Sequence, residues 1–377
     1  MPRFVLVLLL LLVLINIGYA YDDTNAMLPA DQRATAPLEL VRAAAENGNP
    51  QAQFLLADRY LRGDGVTKDT TEAVKWFRKS AEQGKLGAQV QARKYSKDNP
   101  ASQVELADGF SKGVLASQIQ LADMYSKGIG VKKNDAMAVQ WLRKAADEGS
   151  DYAQGMLGVH YQNGVGVKKD YKEAVKWYRK AAEQGSPEGQ FMLGMAYSDG
   201  IGLSRDDVQA VEWFQRSAAK GNGAAQAMLA RNYADGRGVS KDLVESCKWT
   251  RKSAEGGFVD AQLNLGLCYA QGQGVNKDIV EAAKWFRKAA DQGFAKAQYA
   301  LGLCYAGEGG VPKNVVEATK WFRKAADQNF PPAQYELGKI YAARDGVPKD
   351  DTESAKWLQK AAAQGYSPPK DDGDVWR

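Results

Sequence analysis

Tryptophan stands at positions 141, 177, 213, 249, 285, 321 and 357, each 36 residues after the one before. A period of that length, kept that long, belongs to a chain built from one supersecondary unit used over and over. Tyrosines at 125, 161, 197, 233, 269, 305 and 341 keep the same step, as do Gln118, Gln154, Gln190, Gln226, Gln262, Gln298 and Gln334. Gln53, Tyr60 and Trp76 reproduce the internal spacing once more upstream.

Residues 261 to 293 display the unit most plainly. Ala261, Leu265, Gly266 and Tyr269 fall at i, i+4, i+5 and i+8, which is one face of a helix. Gly266 recurs as Gly158, Gly194, Gly302 and Gly338. A mid-helix glycine costs about 1 kcal/mol against alanine, so a neighbouring helix is expected to approach closely there. Gly272 ends this first helix, and the Gly-x-Gly-Val segment supplies the positive φ of a C-cap and tight turn. A phosphate loop is excluded, because no strand pattern precedes the glycines and no G-x-x-x-x-G-K-[ST] occurs. The second helix opens on Asp278 and Glu281, the spacing of a capping box in which each side chain satisfies the other's amide. Asp69/Glu72, Asp170/Glu173, Asp242/Glu245, Asn314/Glu317 and Asp350/Glu353 repeat it. Ala282, Trp285, Phe286, Ala289 and Ala290 then form the apolar face, with Lys284, Arg287 and Lys288 toward water. A single hairpin of this size cannot bury its Trp and Tyr, so neighbours must stack and share a core. The expected fold is all-α, a right-handed α-solenoid of helix-turn-helix repeats with a 36-residue period.

The pattern A-Q-x-x-L-G-x-x-Y, then G-x-G-V, then D-x-x-E-A-x-K-W-[FY]-R-K-A-A-x-Q-G resembles the Sel-one-like repeat, a short relative of the tetratricopeptide repeat. The resemblance covers most of residues 37 to 366. It implies an adaptor that holds a protein or peptide on its concave face, and no motif for a catalytic residue, metal or cofactor is expected from the sequence itself. Residues 37–48 read as a capping helix, 49–84 as the first repeat and 117–366 as seven regular repeats. The step from Trp76 to Trp141 is one period and most of a second. Residues 85–116 are therefore expected to be a degenerate repeat that lost seven residues and its Trp. They form a bend in the superhelix, a site that a partner orders, or a decayed repeat still packed as short helices, with Asp98-Asn99-Pro100 breaking any helix. Residues 367–377 are expected to be a loose tail.

Arg3, the apolar run Phe4–Ile17 and Gly18-Tyr19-Ala20 read as a signal peptide over residues 1–20, followed by a linker over 21–36. Fourteen apolar residues fall short of the roughly 20 that a membrane-spanning helix needs. No second apolar run exists, so the mature chain is expected to lack a membrane span and to reach the periplasm or the exterior of a bacterium. An adaptor of the endoplasmic reticulum lumen is the eukaryotic counterpart, but the chain ends Asp374-Val375-Trp376-Arg377 without a retention signal. Fifty basic and 45 acidic residues are interspersed, which argues against nucleic acid as the partner.

Three cysteines are too few for a disulfide framework. Cys268 and Cys304 are 36 residues apart, and Cys247 sits where other repeats carry Ala or Val. Helix axes about 8–10 Å apart lie beyond the roughly 7 Å Cα limit for a disulfide, so all three are expected to be small core residues. The single histidine, His160, has no paired ligand or nucleophile. The competing reading is an envelope enzyme or cell-wall ligand binder, β-lactamase-like, as suggested for cysteine-rich relatives. Those relatives resemble one another through a disulfide pair per repeat, which this chain lacks.

The stripe two and six residues after the alanine of each A-Q varies while the core repeats. It reads Phe54/Asp58, Ile119/Asp123, Gly155/Val159, Phe191/Met195, Ala227/Arg231, Leu263/Leu267, Tyr299/Leu303 and Tyr335/Lys339. Phe191, Met195, Leu263, Leu267, Tyr299, Leu303, Tyr335 and Lys339 are the expected partner-binding residues, the last six forming one apolar and aromatic patch. The alternative, that these residues simply pack between repeats, stands open on sequence alone.

Overall fold

The computed structural model describes residues 37–95, 100–307, 311–343 and 347–367. The expected signal peptide, its linker and residues 368–377 of the tail lie outside them. Eighteen helices and no strand occur among the described residues. They are α1 (Leu38–Glu46), α2 (Pro50–Arg62), α3 (Thr70–Ala81), α4 (Gly84–Tyr95), α5 (Pro100–Lys127), α6 (Asp135–Asp147), α7 (Asp151–Asn163), α8 (Tyr171–Glu183) and α9 (Pro187–Asp199). They continue with α10 (Asp207–Ala219), α11 (Gly223–Asp235), α12 (Leu243–Glu255), α13 (Val259–Gln271), α14 (Ile279–Asp291), α15 (Ala295–Ala306), α16 (Val315–Asp327), α17 (Pro331–Ala343) and α18 (Asp351–Ala363). The contacts gather into two compact units, one running to Ala196 with Gly200–Ser204, the other holding Tyr197–Asp199 and everything from Arg205 onward.

Within a repeat the two helices form a tight hairpin. Gly272 adopts φ 70° and its amide reaches back to the Cys268 carbonyl, closing α13. Gly266 touches the next helix so closely that a Cβ there would enter the van der Waals envelope of the Phe286 ring, which is why the sequence tolerates its propensity cost. Asp278 caps α14, accepting from the Glu281 amide at 2.9 Å. The reciprocal half of the capping box does not form. The amide of Asp278 already donates to the Tyr269 carbonyl at 2.9 Å, so Glu281 turns outward and accepts from Lys284 Nζ at 2.8 Å. The same substitution of partners occurs at Asp69, Asp170, Asp242, Asn314 and Asp350, whose amides are bound to the carbonyls of Tyr60, Tyr161, Tyr233, Tyr305 and Tyr341. This bond ties the end of each loop to the first helix.

Between repeats, the buried glutamine does what its period implied. Gln154, Gln190, Gln226, Gln262, Gln298 and Gln334 each donate Nε2 to the carbonyl eight residues earlier, on the preceding repeat's second helix. Gln53 does the same to Ala45, so α1 stands where a second helix of an earlier repeat would. A guanidinium joins the next repeat's tyrosine hydroxyl 18 residues on, in Arg143–Tyr161, Arg251–Tyr269, Arg287–Tyr305 and Arg323–Tyr341. Arg287 was expected to face water. Instead it lies half-buried, with its guanidinium 5.5 Å from the centre of the Trp321 ring.

These bonds locate residues 85–116 differently from a shortened repeat. Arg78 donates to Tyr125 at 2.6 Å across 47 residues, and Gln118 donates to Ala81 at 3.3 Å across 37. The counterparts elsewhere span 18 and 8. Both separations therefore grow by the same amount, the length of 85–113, as they would if that stretch were added to an undisturbed stack. Phe77, Leu121 and Met124 accordingly share one core. The added chain is α4 and the N-terminal half of α5, packed on each other. Gly113 stands where other repeats break between helices, but it is helical here, and α5 runs unbroken from Pro100 to Lys127. A Cβ on Gly113 would press on the Gln51 backbone. Pro100 begins a helix at its first position, where the missing N–H costs nothing.

Candidate partner-binding face

The stripe is carried by the first helices, directly beside a core of Ala261, Leu265, Ala297, Leu301, Ala333 and Leu337, each at most 3% exposed. Leu263 and Leu267 on α13 are half-buried and lean on the cluster that contains Phe286 and Leu301. On α15, the Tyr299 ring lies 5.7 Å from Phe322 and 5.5 Å, edge-on, from Phe330. Leu303 is 5% exposed, inside the core with Phe322 and Trp357, and so offers no surface to a partner. On α17, Tyr335 is half-buried with its ring 5.7 Å from Tyr366. Lys339 is exposed, 3.2 Å from Glu336 and 5.5 Å from the centre of the Tyr335 ring. Burial holds the Tyr366 phenol above its ordinary pKa. Phe191 and Met195 on α9 are both half-buried.

Leu263, Leu267, Tyr299 and Tyr335 thus each stand partly packed and partly open to solvent. Positions two and six are four residues apart, about 400° of helical rotation, so they diverge by roughly 40°. That divergence lets Leu303 sink while Tyr299 stays half-open.

A second apolar row was missed. Val208, Val244, Val280 and Val316 are 55%, 52%, 46% and 48% exposed, each two residues after the cap that opens its second helix. Their signal was present in the sequence as a period-36 valine outside the helical core pattern. A shallow depression of about 360 Å³ lies beside Trp321, lined by Glu317, Thr319, Lys320, Arg323 and Lys324.

His160 is committed locally. Its Nδ1 lies 2.8 Å from the Val165 carbonyl, and a carbonyl only accepts, so that nitrogen carries the proton and pins its own turn. Tyr178, whose hydroxyl donates to Gln162 Oε1 at 2.8 Å, is pushed up to about 12 by burial and stays a neutral phenol. Among the described residues no group of three or more His, Cys, Asp or Glu side chains is placed to hold a metal.

The profile of the Sel1 repeat matches residues 50–85, 115–150, 151–186, 187–222, 223–258, 259–294, 295–330 and 331–366. The chain belongs to the Sel1 repeat family. The profile passes over residues 86–114, the stretch that the inter-repeat bonds mark as added. A Sel1 repeat protein from Oxalobacter formigenes is 31% identical, with 88% of each chain covered and a TM-score of 0.61. A protective antigen of uropathogenic Escherichia coli strains, described as displaying an SLR fold, is 35% identical over 88% of this chain and 80% of its own, with a TM-score of 0.51. No curated protein sequence matches the chain significantly. This Sel1 repeat protein therefore has an all-helical solenoid fold, in a scaffold-like family whose repeats typically mediate protein interactions, and the two similar structures just named are bacterial. No helix among its described residues is long and apolar enough to cross a membrane.

Proposed function

We propose that this Sel1 repeat protein is an exported, non-catalytic scaffold that binds a protein or peptide on the first-helix face of its last repeats. Leu263, Leu267, Tyr299 and Tyr335 are the anchors and Lys339 a flanking cation; Phe191 and Met195 hold the corresponding places on α9. The observation that carries the reading is a contrast of variability. The alanine and leucine beneath the stripe recur as Ala261/Leu265, Ala297/Leu301 and Ala333/Leu337, while the half-open positions differ from repeat to repeat, as a surface shaped to one partner does. Leu303 belongs to the core on which Tyr299 packs and takes a supporting part only. Export rests on the signal-like pattern of residues 1–20.

The test is affinity capture from bacterial envelope and secreted fractions with residues 21–377, beside a Leu263→Glu/Tyr335→Glu variant of matched helicity and Tm. A partner retained by the parent and lost by the variant supports the reading. Equal capture by both moves binding away from this face. Saturable β-lactam turnover or cell-wall glycan binding by the purified chain replaces the scaffold with the enzyme or ligand-binder class. Fusion of residues 1–30 to a reporter active only outside the cytoplasm tests export, and a silent reporter refutes it.

A further inference from the structure

The three cysteines differ in what they face. Cys247 on α12 is 1% exposed and Cys268 on α13 is half-buried, and both belong to the apolar cluster of Leu265 and Trp285. The two helices pack on each other, and each thiol shifts the acidity of the other. One repeat later the same two positions hold Ala283 on α14 and Cys304 on α15, again in one cluster. Cys304 thus has a methyl group where Cys268 has a thiol.

The axis-to-axis argument against a disulfide fails at this place for a geometric reason. Axes about 8–10 Å apart with Cα atoms about 2.3 Å off each axis bring directly facing Cα atoms to roughly 3.4–5.4 Å, which overlaps the range a disulfide requires.

We infer that Cys247 and Cys268 are an oxidisable pair that forms a disulfide between the repeats 223–258 and 259–294, with a small or protein disulfide as oxidant. Of the two residues Cys268 is the less buried. One of the two cysteine thiolates attacks the oxidant, whose S–S bond breaks and expels one thiolate. The other cysteine thiolate then displaces the second thiolate from that mixed disulfide. Two cysteine protons pass to the two leaving thiolates, so the protein loses two electrons and the oxidant gains them. Cys304, whose thiol burial pushes up to about 12, takes no part.

The full chain, purified reduced, is brought to equilibrium with glutathione buffers of rising oxidising ratio, then denatured, alkylated and weighed. The expected product has lost two of its three thiols, is two hydrogens lighter, and yields one tryptic link joining Cys247 to Cys268. Cys247→Ala is expected to stop at a glutathione adduct on Cys268. Ala283→Cys, which copies the pair one repeat on, is expected to add a second link, to Cys304. Survival of all three thiols at the most oxidising ratio, a wild-type link that includes Cys304, or disulfide formed only between chains overturns the inference.

Discussion

Deleting residues 85–113 separates an added segment from an integral repeat by a large margin in energy. The cut leaves Trp76 and Trp141, Tyr60 and Tyr125, and Gln53 and Gln118 each one 36-residue period apart. Gly84 already has φ 63°, and Val114, 0% exposed, would follow it where Phe258, Phe294 and Phe330 follow the corresponding residue. The bonds from Arg78 to Tyr125 and from Gln118 to Ala81 should persist. Ser80 keeps its bond to the Pro50 carbonyl at 2.9 Å and loses the longer one to Gly113 at 3.3 Å, and Ser117 loses its bond to the same Gly113 carbonyl at 2.8 Å. One such bond is worth about 1 kcal/mol net, and relief from closing the added chain opposes the loss, so stability should change by less than about 2 kcal/mol. Were the segment a repeat in the stack, its removal would uncover Trp76, Phe77, Leu121 and Met124, now 8%, 0%, 0% and 1% exposed. At about 1.5–3 kcal/mol for each side chain, that is about 6–12 kcal/mol. Urea unfolding by circular dichroism, with dye binding as a check for bared apolar surface, decides between them. A loss that reaches this burial-scale range, about 6 kcal/mol or more, would refute the added-segment reasoning, as would strong dye binding before the transition.

Other outcomes follow from the same geometry. Gly266→Ala should destabilise by about 1–3 kcal/mol through overpacking against Phe286, partly offset by about 1 kcal/mol of helix propensity; a rise in Tm would contradict the close approach. Trp285→Ala should cost about 3–5 kcal/mol, because the ring is 6% exposed and the Lys288 ammonium lies 3.8 Å from its centre. Hydrogen exchange should quicken mainly in residues 223–294, and equal quickening in α17 and α18 would show that the loss does not stay local. Glu317 is held below the ordinary Glu range first by its hydrogen bond to Lys320. Its stabilisation is therefore full above the ordinary Glu pKa and lost as pH falls through the lowered folded value. Glu317→Gln should accordingly show a smaller drop in Tm between neutral and acid pH than the parent, and an identical drop would sink the assignment.

Helix pairs were readable because their causes are local. Glycine at 272, the cap at Asp278 and the spacing of Trp285 from Tyr269 act within one hairpin, and each recurs often enough to reveal itself. Half of the capping box was legible for the same reason. Its other half was not, because the claim of the Tyr269 carbonyl on the Asp278 amide depends on how the loop folds back. The stripe was found by its variability, yet variability does not report depth: Leu303 is core, while Val208, Val244, Val280 and Val316 are open to solvent.

Counting along the chain shows that the period breaks between Trp76 and Trp141, but not whether the extra stretch fills a place in the stack. The hydrogen bonds of Arg78 and Gln118, formed across that stretch, decide it. Likewise three scattered cysteines acquire a pair only when α12 is laid against α13. Period, helix identity and the family thus follow from the amino-acid order, since one unit of local signal repeats eight times. Burial of one stripe leucine, the siting of the added hairpin and the meeting of two thiols depend on which helix packs on which, and that is a property of the stack.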